Sequence, residues 1–322
     1  MDLRNLAAQA RVTFLLGKGG VGKTTVTAAM ARALADEGSR VLVIELEGRP
    51  EVGRAFGLDG ELDYTGRRLY EAGSGGFVAA RRVTPDEALL EYLDDHSLGR
   101  LSRRLLSAGV VDVVAGAIPG IREVLLLGKI KQIANEESEL DVILVDAPAT
   151  GHAVTLLTSP AGVSAAARGG PVRSQADQVV EMLEDPSRAA VVLVTIPEEL
   201  PITETVEAAF RIEDEAGLAL AAVIANRVEP PRPSLEVPAR VAADEIGVEL
   251  DAATLATLDE AARFQRAREV EAARQLERLR TELPLPILVL PRVATAAVGP
   301  AELDVLAAAL RLAAAEQPGV GR

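Results

Sequence analysis

The chain of 322 residues has no cysteine, no tryptophan and only three methionines, and aromatic residues make up 2% of it. The lack of cysteine excludes disulfides, thiolate zinc sites and iron–sulfur clusters. So few aromatics leave no platform on which the bases of a nucleic-acid strand would stack. Positive charge is in deficit: the net charge is −14 and the pI about 4.8. That excludes a general nucleic-acid binder and a polybasic membrane anchor. The pairs Arg67-Arg68, Arg81-Arg82 and Arg103-Arg104 sit among acids and read as solvated faces or phosphate contacts. No apolar run approaches the roughly 18 residues that span a bilayer. The start, Met1-Asp2-Leu3-Arg4-Asn5, has no charged-then-apolar leader pattern. The expectation is a soluble, cytoplasmic chain with no nucleic-acid partner and no stable membrane anchor, long enough to bury a large core.

Lysine is scarce as well. Four of the 34 basic residues are lysines, namely Lys18, Lys23, Lys129 and Lys131. Two of them lie in Gly17-Lys18-Gly19-Gly20-Val21-Gly22-Lys23-Thr24-Thr25, which fits the phosphate-loop pattern G-x-x-x-x-G-K-[ST]. The loop follows an apolar run, Val12 to Leu16, that reads as a buried strand, and precedes Val26 to Leu34, which reads as a helix. The glycines let backbone N–H groups surround a triphosphate at a helix N-terminus. Lys23 is expected to reach the β- and γ-phosphates, and the Thr24 hydroxyl to bind Mg²⁺. A compact ammonium at that place is not interchangeable with a guanidinium.

Short apolar runs alternate with amphipathic stretches, the signature of a doubly wound, mostly parallel α/β sheet. The expected strands are Val12–Leu16, Val41–Glu45, Val142–Asp146, Ala190–Thr195, Ala222–Asn226 and Pro286–Leu290, with a short one near Phe77–Val83. Each is apolar along its length, as strands covered on both faces are. Thr84-Pro85-Asp86-Glu87 looks like a helix start. Leu89, Leu90, Leu93, Leu101, Leu105 and Leu106 follow at helical spacing, and Pro119-Gly120 opens another helix. The organisation read from this is one domain over 1–322, with a helical insertion at about 84–135 and a C-terminal helical part at about 236–322. Ala161–Pro171 reads as irregular. Glu229 to Pro238, with four prolines, reads as a linker. A long helix is expected from Ala252 to Leu283, with Leu255, Leu258, Ala262, Val270, Ala273, Leu276 and Leu279 along one stripe.

Val142 to Asp146 is an apolar strand ending in an acid, the second half of a phosphate-loop site, where Asp146 sits near Mg²⁺. His152 follows shortly, and a helix-entry hydrogen bond and a catalytic role both fit it. The second strand ends in Glu45-Leu46-Glu47. Glu47 is expected to orient an attacking water, with Glu45 as the fallback; alternatively both face solvent.

Three segments together resemble the ArsA family: the Gly17–Thr25 loop with its second lysine, Asp146-Ala147-Pro148-Ala149-Thr150-Gly151-His152, and Pro119-Gly120-Ile121-Arg122-Glu123. That family includes the arsenite-pump ATPase and the eukaryotic targeting factor for tail-anchored membrane proteins. The resemblance runs from about Val12 to about Leu310. It extends to a bacterial subgroup of paired subunits whose strand end resembles Ile44-Glu45-Leu46-Glu47-Gly48-Arg49. It implies a P-loop NTPase fold of the SIMIBI class and a deviant-Walker-A ATPase using ATP and Mg²⁺. The working form would be a nucleotide-gated homodimer, or a heterodimer with a related ArsA-like subunit. By the same resemblance Lys18 contacts phosphate across the dimer interface, Asn226 recognises adenine, and the loop from Pro291 to Gly299 closes over the base. The stretches 84–133 and 161–183 fall where the family places its client surface.

Three departures bear on function. Glu47-Gly48-Arg49-Pro50 stands where the family has Asp-Pro-Ala-His, and a misplacement of about 1 Å at a catalytic group costs on the order of 10²-fold. The targeting factor's zinc-binding cysteine pair and the arsenite pump's thiolate site have no counterpart in a chain without cysteine. The leading expectation is an ATP-driven switch acting on a protein client or partner. The alternative is a nucleotide-binding regulatory subunit with little hydrolysis of its own.

Overall fold

The computed structural model describes residues 3–7, 9–46, 51–95 and 119–317. Eight strands form one sheet: β1 Val12–Leu16, β2 Arg40–Glu45, β3 Arg67–Glu71, β4 Phe77–Arg82, β5 Val142–Asp146, β6 Ala189–Thr195, β7 Ala219–Val228 and β8 Ile287–Pro291. Their order across the sheet is β3-β4-β2-β5-β1-β6-β7-β8. Every pairing is parallel except that of β3 with β4. All residues of β1, β5 and β6 are buried, as their unbroken apolar runs require when helices cover both faces. Alternate side chains of β1 feed two cores. Phe14 packs with Leu127, Ile143 and Leu157 on one face, and Leu15 with Met30, Leu34 and Leu306 on the other. This is the doubly wound α/β architecture expected.

β3 was not among the expected strands. It is an edge strand of mixed polarity, and its antiparallel register slips between Arg68 and Tyr70. Charged residues suit an exposed edge because they discourage pairing with another chain. Arg68 pairs with Glu71 and lies over the Phe77 ring. Arg81 pairs with Glu137, and Arg82 with Glu61, so these arginines are engaged by the acids around them. Arg103-Arg104 lies outside the described residues, as do Leu101, Leu105, Leu106, the tail from 318 and the Glu47-Gly48-Arg49-Pro50 stretch.

The helix starting at Thr84 is α4, Pro85–Asp95, after the short α1 Leu3–Ala7, α2 Lys23–Asp36 and α3 Glu51–Ala55. Thr84 caps it, accepting from the Glu87 N–H and donating to the Glu87 carboxylate at 2.7 Å. α5, Ile121–Glu136, begins after Gly120, whose φ of 87° favours glycine. Its Leu126, Leu127 and Ile130 pack into the sheet's core, and Leu125 packs with Ala88 and Ile121 of the insertion.

Two expectations are corrected. Residues 161–166 are not irregular but continue α6, Thr150–Ala166, straight through Pro160. Alanine-rich sequence favours helix strongly enough to accommodate one missing backbone bond. α7, Pro171–Glu184, and α8, Glu199–Arg211, follow, the latter running into a π-helical turn at Ile212–Ala216. After α9, Ala239–Glu245, the long helix is α10, Ala252–Glu282, and its stripe is only partly buried. Leu255, Leu276 and Leu279 are buried, but Leu258 is 47% and Val270 70% exposed. At 31 residues the helix is roughly 46 Å long, and the large apolar residues of its middle, Leu258, Phe264 and Val270, are exposed. α11, Pro300–Glu316, returns to pack on α2. Among the described residues no helix is long and apolar enough to cross a membrane.

Candidate functional site

The loop Gly17–Gly22 joins β1 to α2 at the carboxyl ends of the parallel strands. A side chain on Gly17 would begin 2.1 Å from the Val194 carbonyl oxygen of β6, so the chain leaves β1 there only as glycine. Gly20 and Gly22 both have φ of +88°. Gly22 is the residue before α2, with no side-chain cap, and the helix's first turn carries no acid. Gly19 and Gly20 are exposed, Val21 is a buried anchor, and Lys23, Thr24 and Thr25 are half-buried. Among the described residues nothing caps this helix N-terminus, and a lysine lies beside its first N–H donors, an arrangement that attracts an anion.

Asp146, at the end of β5, is buried and tied to this helix. The Thr24 hydroxyl donates to its Oδ2 at 2.6 Å, and the buried Thr27 hydroxyl to its Oδ1 at 3.3 Å. Burial pushes the Asp146 carboxyl up, opposed by Thr24, Lys23 and Thr27. Burial pushes the Lys23 ammonium down, opposed by Asp146. Thr27 was not anticipated. It lies one helical turn after Thr24, and facing one acid from the same side follows from that spacing.

Of the two acids at the end of β2, Glu45 is described and Glu47 lies outside the described residues. Glu45 does not face solvent. It is the register partner of Asp146, only 6% exposed, and accepts the Val52 N–H of α3 at 3.0 Å. Burial, resisted by that hydrogen bond and reinforced by Asp146, pushes its carboxyl up to about 7. His152 is exposed in the first turn of α6, and no hydrogen bond holds its side chain among the described residues.

Lys18 is paired with Glu204 of α8, a contact nothing in the sequence signalled, since 186 residues separate them. Asn226 is 4% exposed near the end of β7. Its Nδ2 donates to the Val21 carbonyl at 2.9 Å, and its Oδ1 accepts the Arg227 N–H at 2.9 Å. Its amide therefore braces the Gly17–Thr25 loop. Pro291 ends β8 and is the register partner of Val228. The loop that follows, Arg292 to Val298, lines a cavity of about 980 Å³ together with Ile196, Pro197 and Arg227. The fold thus gathers Gly17–Thr25 and Asp146 at one end of the sheet, with Asn226 bonded to the same loop.

The family model for anion-transporting ATPases matches residues 10–168 and 171–240, well over half of the chain. ATPase BagA of Mycobacterium tuberculosis is 35% identical over 301 residues, covering 88% of this chain and 87% of the relative. The arsenical pump-driving ATPase of Escherichia coli is 29% identical over 204 residues, covering 56% of this chain and 33% of the relative. That of Acidiphilium multivorum is 29% identical over 203 residues, with the same coverage. On that match the chain belongs to the ArsA family of anion-transporting ATPases.

Proposed function

We propose that the chain binds Mg-ATP at the Gly17–Thr25 loop, hydrolyses it, and uses the cycle as a conformational switch. The working form is a nucleotide-gated dimer, with itself or a related ArsA-like subunit, that acts on a protein client or partner in the cytoplasm. The observation that carries the nucleotide reading is the acid-free, uncapped N-terminus of α2, with Lys23 in its first turn and Thr24 bonded to Asp146. Such an end is stabilised by a phosphate that takes its free N–H groups. Lys23 adds fixed charge at the β- and γ-phosphates. Thr24 and Asp146 are the oxygen donors that suit Mg²⁺, which when bound neutralises phosphate charge. Glu47 orients the attacking water, Lys18 reaches the partner's phosphates, and Asn226 and Pro291 border the base.

The test is steady-state phosphate release from Mg-ATP by the purified chain, with Lys23→Ala as the blank. We expect release above the blank, and at least a tenfold loss of ATP affinity in Lys23→Ala, about the effect of one charge-assisted contact. Unchanged ATP affinity in that variant defeats the phosphate-loop reading. The Glu47 departure favours a second reading. ATP binding without release by the chain alone supports a regulatory subunit that works with a related catalytic chain. A thiolate-held metalloid cargo does not suit this chain, which has no cysteine.

A further inference from the structure

The cavity beside the phosphate loop is lined by no aromatic residue, although the chain has five phenylalanines and three tyrosines. A purine placed there meets the loop Val293–Val298, aliphatic but for Thr295, and arginines that share the lining with glutamates. Arg274 is paired with Glu271, and Arg292 with Glu229. Arg227 has no hydrogen bond or ion pair from its guanidinium among the described residues. It also reaches the phosphate loop. Its Nη2 and Nε lie 3.6 and 3.9 Å from where a side chain on Gly22 would begin.

The backbone at this point is unusual. Arg227 has a φ of 57°, the one positive value among the described non-glycine residues. The pairing of β7 with β8 slips between Ala225 and Val228, the step that holds Asn226 and Arg227. Such irregularities re-aim side chains and persist where the surroundings hold them. Here the holder is Asn226, whose amide bonds the Arg227 N–H on one side and the Val21 carbonyl on the other. Among the described residues no hydrogen bond or ion pair uses the guanidinium that this geometry presents.

We propose that Arg227 supplies the planar face on which the nucleotide base stacks, opposite the largely aliphatic loop Val293–Val298. A guanidinium is flat, delocalised and weakly hydrated, and it stacks on π-systems as a lysine ammonium does not. In a chain this poor in aromatics it takes the place of a tyrosine or phenylalanine. Asn226 then acts as a positioning residue for Arg227. The inference rests on the nucleotide reading of the loop.

The test compares Arg227→Gly and Arg227→Lys with wild type, using Mg-ADP and Mg-tripolyphosphate as titrants and thermal unfolding as a control. We expect both variants to bind Mg-ADP about tenfold more weakly, the size of a lost desolvated stacking contact. Mg-tripolyphosphate, which has no base, should bind within about twofold of wild type in both, a difference too small to count as a lost contact. Arg227→Gly should melt no lower than wild type, because glycine adopts a positive φ without strain. Wild-type ADP affinity in Arg227→Lys overturns the proposal, since charge alone then suffices. An equal loss for tripolyphosphate also overturns it and makes Arg227 a phosphate contact. Failure of wild type to bind either titrant sinks the nucleotide reading itself and the proposal with it.

Discussion

At the scale of single residues, the Gly17–Thr25 loop was legible as a strand-to-helix connection, and its spacing is what carries the phosphate-loop expectation. Gly17, Gly22, Lys23 and Thr24 are recognisable wherever a strand precedes and a helix follows, and Asp146 gains meaning only beside them. Glu45 was not legible in the same way. Its partner is a backbone N–H on α3, seven residues ahead, and no side-chain pattern marks such a bond. Its raised carboxyl gives a testable pH dependence. The folded chain holds the Glu45 proton more tightly than the unfolded chain, whose group titrates near 4.5. The stability from neutral Glu45 is therefore present in full below that value and lost as pH rises through about 7. Glu45→Gln keeps an acceptor for Val52 and stays neutral. We expect its stability advantage over wild type to grow between roughly pH 5 and pH 8, to a few kcal/mol at most. Urea unfolding of nucleotide-free protein in chelator measures this, and a difference that stays flat with pH counts against it.

At the scale of elements, periodicity located strands and helices but not their neighbours. β1 and β5 match their expected bounds because an unbroken apolar run has one stable place, the centre of a doubly covered sheet. β3 escaped notice because an edge strand needs no such run, and Arg67-Arg68-Leu69-Tyr70-Glu71 reads as loop by composition. The stripe on α10 is real as a pattern, but only its ends are covered. Sequence cannot say how much of a helix's apolar stripe the rest of the chain covers. The difference is measurable within one helix. Leu279 is fully buried in the main core, and Val270 is 70% exposed. Leu279→Ala should cost about 2–5 kcal/mol by leaving a cavity. Val270→Ala, nine residues away on the same helix, should stay within about 0.5 kcal/mol. Comparable losses in denaturant unfolding would mean that the middle of α10 is covered in solution, and so would locate a contact surface.

At the scale of the whole molecule, strand order was the least legible feature. β5 lies between β1 and β2, although 125 residues of chain separate it from β1 and 96 from β2, and only the assembled sheet brings Asp146 to Thr24. The same assembly sets Lys18 against Glu204 on α8, so the lysine expected to leave its own loop for a partner's phosphates begins with a counter-ion at home. The two side chains are each about one-third exposed, so the pair is weak enough to exchange. In the proposed dimer, closure trades Glu204 for a phosphate, which carries more charge and sits among more donors. Two variants then move in opposite directions. Lys18→Ala should leave ADP binding by the monomer within about twofold, since it removes no contact in cis, yet weaken ATP-dependent association. Glu204→Gln should release Lys18 and shift association to lower protein concentration by a few-fold, matching the about 0–1 kcal/mol of an exposed pair. Sedimentation of each variant with a slowly hydrolysed ATP analogue reads both effects. If the double variant associates like Lys18→Ala alone, Glu204 acts through Lys18. An equal gain from Glu204→Gln in both backgrounds would show that the carboxylate hinders association by its own charge and that the ion pair is incidental.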